Sequence, residues 1–264
     1  TNNSAFTHND PQEGHPSTVH ITTDEGNVRE FIHGSRATNP VDQWPDPDVY
    51  VNYMGQSLSG SENRNINRTY PGKADGTLTE MMSYGIVQLI NTENIDVTVD
   101  LHEASPEYPV INALIAHERA MNLASNVVVD MQMEGVQISL EPSPTDLRGL
   151  THRELGDHTD TLALLMEAPN PAQGRLRDRT DEALVLTGKS ETYVKAGEIG
   201  QLYVPYDENG WPIEVRCARH VFGIERILAN YSEMYEEPII VTGMPSYDEL
   251  VKNGMGPYLN EPTT

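Results

Sequence analysis

The spacing of apolar residues changes along this chain and divides it into two parts. Residues 1–66 are rich in Asn, Asp, Gly, Pro and Ser, and they contain few apolar runs. Residues 19–23 and 28–33 alternate apolar and polar positions around a polar turn, which predicts a small hairpin. The rest of this part is predicted to be long loop, and loops of that length in a compact domain are usually functional or anchored elsewhere.

From residue 78 onward the pattern predicts helices and strands in alternation. Apolar residues at helical spacing predict long helices at residues 78–94, 117–135 and 217–235. One or two short helices are predicted at 181–200, and a helical turn at 247–253. Short apolar or β-branched runs predict strands at residues 95–101, 110–116, 136–140, 162–166 and 239–242.

Alternation of this kind predicts an α/β fold with a mixed, mostly parallel sheet and helices on both faces. We expect one domain overall. Residues 1–66 would form its loop-rich N-terminal part, and residues 67–264 an α/β core that ends in a helix and a tail. Ligand sites in such sheets lie outside the carboxyl ends of the strands, so polar residues at those positions are the first candidates for chemistry.

Composition places the chain among folded proteins of strong negative charge. A hydrophobic content of 37% and a charged content of 22% are typical of a globular domain. Forty acidic against 17 basic residues give a net charge of −23, which argues against nucleic acid and anionic membrane surfaces as partners. No apolar run reaches the roughly 20 residues that span a bilayer, so no membrane span is predicted. Cys217 is the single cysteine, which excludes an intrachain disulfide and leaves the compartment open.

Polar residues that can do chemistry stand at the ends of three predicted elements. Arg68 lies in a turn, and His102 and Glu167 each follow the apolar run of a predicted strand. A histidine can bind a metal, a carboxylate can act as a general base, and an arginine can bind an anion; a zinc hydrolase needs all three groups. The topology allows His102 and Glu167 to meet at the carboxyl ends of their strands.

Each of these residues also has a purely structural interpretation. His102 can be a hydrogen-bonded histidine at a strand end, and Glu167 a solvated strand end. Arg68 can pair with Glu62 or Asp75. Its neighbour Asn67 can cap a turn, a common role of asparagine side chains.

Three short segments carry a resemblance to a known family. Asn-Arg-Thr-Tyr-Pro-Gly at 67–72, Asp-Leu-His at 100–102 and Met-Glu at 166–167 resemble motifs of the zinc metallocarboxypeptidase superfamily. Their order and spacing are similar to those of its succinylglutamate desuccinylase/aspartoacylase-like branch, and the resemblance covers residues 60–236. It implies a zinc carboxypeptidase-like fold, zinc as cofactor, and hydrolysis of an amide bond next to a carboxylate-bearing residue. The implied substrate is a small acyl-amino acid or a peptide C-terminus.

The resemblance also assigns roles to individual residues. Asn67 and Arg68 would hold the carboxylate of the substrate, with Arg68 counted among the catalytic residues. His102 would be a zinc ligand, the third in chain order. Glu167 would be the catalytic glutamate that accepts the proton of the attacking water.

One expected motif is missing from the chain. The family takes its first two zinc ligands from a His-x-x-Glu segment, and none of the nine histidines here has glutamate at the third position after it. We therefore expect an N-terminally incomplete domain, with the motif upstream of Thr1 or on a separate N-terminal chain or fragment that supplies the remaining zinc ligands. The alternative is a catalytically inactive relative that binds an anionic ligand or serves as a structural subunit of an assembly. A third hypothesis makes Thr1 an N-terminal nucleophile.

Three further features carry weaker predictions. The polar residues at 152–160 predict the polar face of a short helix, and, as a less favoured interpretation, a lining of the pocket. Glu103, next to His102, could orient a metal ligand without binding the metal itself. Arg36 could donate hydrogen bonds to an oxyanion.

Overall fold

The computed structural model of the chain describes residues 17–22, 26–33, 47–176, 182–236 and 238–259. The strands in these ranges are β1 (Ser17–Thr22), β2 (Val28–His33), β3 (Val49–Val51), β4 (Ser57–Ser59), β5 (Val97–Ala104), β6 (Ala113–Ala116), β7 (Ser139–Pro142) and β8 (Leu162–Pro169). The α-helices are α1 (Leu78–Glu93), α2 (Met121–Met133), α3 (Thr151–His158), α4 (Glu182–Thr187), α5 (Glu191–Glu198), α6 (Ile213–Tyr235) and α7 (Tyr247–Asn253).

The main sheet has four strands in the order β5-β8-β6-β7. β6 pairs parallel with β7 and antiparallel with β8. Leu162 N donates to Asp96 O, and Asn170 N donates to Ala104 O. Residue numbers increase in the same direction along both strands, so β5 and β8 pair parallel. The prediction of an α/β fold with a mixed, mostly parallel sheet is confirmed, and the likeness to zinc carboxypeptidases stays a prediction.

The chain divides into two compact units. One comprises residues 1–98 and 143–163, and the other residues 99–142 and 164–264. The core of the first unit is built where α1 and α3 meet the start of β8, from Tyr70, Val87, Ile90, Leu155 and Ala163, all almost fully buried.

The second unit has its core where α2 and α6 pack against β8. Gly223 of α6 lies so close to Met166 that an added Cβ would stand 2.2 Å from its Cε. A larger residue at position 223 would therefore require the flexible end of the Met166 side chain to move. Arg216, two turns earlier on α6, is completely buried and takes part in the polar contacts described below.

The ends of the first two helices follow from side-chain chemistry. Glu80 N bonds the Thr77 hydroxyl and Thr77 N bonds the Glu80 carboxylate, a capping box that starts α1. Asn94, with a φ of 51°, ends it in the left-handed conformation. Gly135, with a φ of 83°, stands after α2. The predicted C-terminal ends of both helices are confirmed.

Predictions outside the main sheet have mixed outcomes. The hairpin is confirmed as the antiparallel pair of β1 and β2, and the helices at 181–200 are α4 and α5 with Gly188 between them. The predicted strand at 239–242 is wrong, because these residues are described and form no regular structure. A strand requires a partner for its backbone groups, and Ile240 is instead 84% exposed.

Candidate active site

The turn that carries Asn67 and Arg68 is fixed by close backbone contacts. A short 3-10 turn, Ile66–Arg68, leads into a cis peptide bond between Tyr70 and Pro71. Gly72 follows with a φ of 75°, and an added Cβ there would lie 2.1 Å from the carbonyl oxygen of Glu80. Only glycine fits this position, which holds the turn against the first residues of α1.

The Asn67 side chain holds the start of α3. Its Oδ1 accepts hydrogen bonds from the backbone N of Thr151, at 2.7 Å, and from the Thr151 hydroxyl, at 2.6 Å. Leu150, which precedes the helix, has no side-chain cap of its own, so Asn67 satisfies a donor at the helix start from a distant part of the sequence. Asn67 therefore has a structural role, as expected, but its oxygen caps the start of α3 rather than a turn. Its Nδ2 makes no hydrogen bond to the described residues.

Arg68 is held by its own backbone turn. One terminal guanidinium nitrogen donates to the carbonyl oxygen of Asn67, at 2.7 Å. Within the described ranges it forms no ion pair with Glu62 or Asp75, the partners of the structural interpretation. Its other guanidinium N–H groups bond no described residue and can donate to a ligand oxygen.

The main chain of Arg68 is clamped from two sides. Asn52 Nδ2 donates to the carbonyl oxygens of Arg68 and Arg148, at 3.2 Å each. Gly149 has a φ of 87°, and an added Cβ would lie 2.2 Å from the Arg68 oxygen. The loop before α3 thus has to carry glycine at this position so that it can approach the Arg68 turn.

A buried ionic network holds that loop. Glu154, completely buried, accepts two bonds from Arg148, at 2.7 Å each, and one from Gly149 N, at 2.9 Å. The bond to Glu154 raises the pKa of the Arg148 guanidinium. Asp157 in turn pairs with Arg148 at 3.0 Å and with Arg153 at 2.7 Å. This network gives the polar residues of α3 a structural role.

Residues 152–160 are predicted to be the polar face of a short helix, and the structure adds that several of them are buried. The short helix exists as α3, but His152, Arg153 and Glu154 are buried. His152 Nδ1 shares a buried hydrogen bond of 2.7 Å with the Ser143 hydroxyl. Charged residues are rarely buried unless they are paired. Glu154 pairs with Arg148 of the loop before the helix, and Arg153 pairs with Asp157 of the helix itself.

In the second unit, the structure brings His102 and Glu167 together. The parallel pairing of β5 with β8 places residue 102 opposite residue 167, so both side chains leave the same face near the carboxyl ends of their strands. His102 Nδ1 and Glu167 Oε1 are 3.8 Å apart, and the two side chains are 27% and 14% exposed. These two side chains therefore lie close together, as the predicted topology allows.

Asp100 completes this group from the same strand. Residues two apart on a strand share a face, and Asp100 Oδ2 lies 2.9 Å from Nε2 of His102. Each nitrogen of the His102 ring thus has a carboxylate nearby. Asp100 is at hydrogen-bonding distance from Nε2, and Glu167 is beyond that distance from Nδ1.

These side chains fit part of a zinc site. Metal-binding histidines commonly donate their other ring N–H to a carboxylate, as the Nε2 of His102 does to Asp100. His102 Nδ1 and Glu167 Oε1, 3.8 Å apart, are too far from each other for a hydrogen bond. Within the described ranges no three His, Cys, Asp or Glu side chains form a group that could hold a metal, so further ligands would come from elsewhere.

A residue of α6, His220, contacts the backbone of His102. The ring of His220 hydrogen-bonds the backbone of His102, while its Nδ1 is buried and finds no hydrogen-bond partner among the described residues. Burial, the largest effect, and the positive charge of Arg219 lower the pKa of His220 to about 4, against the raising effect of that hydrogen bond. His220 is therefore neutral near pH 7. No sequence pattern could have indicated this contact, because it depends on how α6 packs.

Glu103 has a structural role and does not orient His102. Neighbouring residues of a strand point to opposite faces, and Glu103 binds Arg216 and accepts a bond of 2.8 Å from Asn170. Arg216 also donates to the Trp211 carbonyl oxygen, at 3.0 Å. The residue that sequence reasoning missed is Asp100, and the signal for it was available in the two-residue spacing to His102.

The structure therefore describes two pairs, each in its own unit: Asn67 with Arg68, and His102 with Glu167. Arg36 and Thr1 lie outside the described residues. No helix in the described part of the chain is long and apolar enough to cross a membrane. No protein-family model, curated protein or solved structure matches this chain.

Proposed function

We propose that this protein is a zinc-dependent hydrolase that cleaves an amide bond next to a carboxylate-bearing residue. The observation that carries the proposal is the Asp100–His102–Glu167 group, in which one nitrogen of an imidazole faces a carboxylate across a gap of 3.8 Å. A ring oriented in this way suits a metal ligand, and the adjacent carboxylate suits a general base. The order and spacing of the three sequence segments support the same conclusion.

His102 would hold the zinc through Nδ1, together with ligands from outside the described residues. Bound zinc would polarise the scissile carbonyl and lower the pKa of water. Glu167 accepts the proton of the attacking water and donates it to the leaving amine, the role of a general base that then acts as a general acid. Its side chain is 14% exposed, which leaves it reachable yet largely shielded from bulk water.

Asn67 and Arg68 bind the carboxylate of the substrate in this proposal. The amide nitrogen of Asn67 and the guanidinium nitrogens that do not bond the turn are donors without a partner among the described residues. Charge-assisted hydrogen bonds from arginine to carboxylate are short, strong and often bidentate. The proposed substrates are therefore small acyl-amino acids or peptide C-termini.

The test is a substitution of Glu167 in the full natural protein. Glu167→Gln keeps the shape of the side chain and removes its basicity, so we expect kcat to fall about 10²- to 10⁴-fold at unchanged zinc content. N-acyl-amino acids and short peptides serve as substrates, and Glu198→Gln, an exposed carboxamide substitution on α5, is the matched control. Full activity of Glu167→Gln, or a natural protein without zinc, would overturn the proposal.

A second candidate function is binding of a carboxylate ligand without hydrolysis, as an anion-binding or structural subunit. It draws on the Asn67–Arg68 turn alone, whose donors are oriented by contacts that involve no metal. Saturable binding of an N-acyl-amino acid to the full natural protein, with no turnover at any zinc concentration, would favour this function over the first.

A further inference from the structure

The ring of His102 is oriented by a neighbour on its own strand. The backbone of His102 is fixed twice, by the β5–β8 pairing and by the hydrogen bond with His220. Rotation about the side-chain bonds therefore remains the main freedom of the imidazole. The contact of Nε2 with Asp100, at 2.9 Å, restricts that rotation.

The same contact determines which nitrogen carries the proton. A neutral imidazole has one N–H and one nitrogen with a lone pair, and an ionised carboxylate can only accept. In the neutral ring, a hydrogen bond from Nε2 to Asp100 therefore requires the Nε2–H tautomer, which leaves the lone pair on Nδ1. Nδ1 is the nitrogen that faces Glu167, at 3.8 Å.

We propose that Asp100 is a positioning residue that holds His102 in the Nε2–H tautomer and directs the lone pair of Nδ1 toward Glu167. The inference rests on the proposed function for its consequence, zinc binding through Nδ1. The tautomer itself is a property of the zinc-free protein. The two can therefore be measured separately.

The first measurement is the tautomer of His102, read from the ¹⁵N shifts of its ring in the full natural protein without zinc. We expect the Nε2–H form in the natural protein and in Asp100→Asn, because the amide oxygen still accepts the hydrogen bond. Asp100→Ala should give a mixture of both tautomers. Asp96→Ala, an exposed carboxylate substitution just before β5, is the matched control and should leave the ring signals unchanged.

The second measurement is zinc affinity, by competition with a chelator on the same four proteins. Loss of a carboxylate that supports a metal-binding histidine typically costs 10- to 100-fold in affinity, and we expect this loss for Asp100→Ala. Asp100→Asn should show a smaller loss, since it keeps the orientation without the charge. Because Asp100 is 31% exposed, these variants are expected to fold, and thermal unfolding checks this.

The outcomes separate the inference from the proposed function. An Nδ1–H tautomer in the natural protein, or an unchanged tautomer and zinc affinity in Asp100→Ala, overturns the positioning role. A tautomer that depends on Asp100 in a protein that binds no zinc supports the positioning role and overturns the zinc hydrolase. Dependence of both properties on Asp100 supports both.

Discussion

At the residue scale, the site consists of side chains whose orientation is set by their immediate neighbours. Nε2 of His102 bonds Asp100, and Arg68 bonds the carbonyl oxygen of Asn67. Sequence spacing could predict the first contact, because residues two apart on a strand share a face. The second depends on the exact backbone turn, which apolar and polar patterns do not specify.

Arg68 gives the prediction that belongs to this scale. Arg68→Met removes the charged donors and keeps much of the apolar stem, so KM for an N-acyl-amino acid should rise about 10- to 100-fold, in line with the ~1.5–3 kcal/mol of a charge-assisted hydrogen bond. Arg68→Lys should recover only part of the affinity, because an ammonium lacks the planar fork of guanidinium. Steady-state kinetics of the full natural protein measure both.

Arg64→Met is the control for this experiment. Arg64 ends the preceding 3-10 turn, Gly60–Arg64, and has no role in the proposed site. An equal rise of KM in Arg64→Met would point to a general loss of positive charge. An unchanged KM in Arg68→Met would remove Arg68 from substrate binding.

At the element scale, α3 and the loop before it support the Arg68 turn. Asn67 holds the N-terminus of the helix, and Glu154 binds Arg148 and Gly149 of the loop. The polar residues at 152–160 predicted a short helix with a polar face, but not that His152, Arg153 and Glu154 are buried. The burial of Glu154 depends on its contacts with Arg148 and Gly149, which the polar pattern of the sequence does not show.

Gly149 allows this support to be tested. Gly149→Ala should lower the free energy of unfolding by about 1–3 kcal/mol for its left-handed backbone, with a further loss because the new Cβ meets the Arg68 oxygen. Gly135→Ala is a matched control, since it has a similar φ of 83° and nothing within 4 Å of an added Cβ. Denaturant unfolding of both variants measures the difference.

The difference between the two glycine variants is the informative quantity. A larger loss for Gly149→Ala, together with a raised KM, supports a clamp on the Arg68 turn. Equal losses, with KM unchanged, would mean that the loop can move away from Arg68 without consequence.

At the scale of the whole molecule, the sequence predicted the fold class and the meeting of His102 with Glu167. Both follow from local signals: short apolar or β-branched runs for the strands, and polar residues where those runs end. The strand predicted at 239–242 failed because such a run also needs a partner, and no local signal shows whether one exists. The contact between His220 and His102 likewise depends on the packing of α6.

The division into two units also depends on contacts between segments that are distant in sequence. Residues 143–163 join the unit formed by residues 1–98, and this follows from contacts between distant segments such as Asn52 with Arg148. Net charge, at −23, bears on partners and solubility and does not predict which segments pack together.

The proposed role of His102 as a zinc ligand is tested by the zinc content of the full natural protein and of His102→Ala after purification in zinc-containing buffer. We expect about one zinc per natural chain and loss of that zinc in His102→Ala. His158→Gln should retain it, since His158 pairs with Glu154, at 3.2 Å. Equal zinc content in the natural protein and His102→Ala, or no zinc in either, would show that His102 is not a zinc ligand.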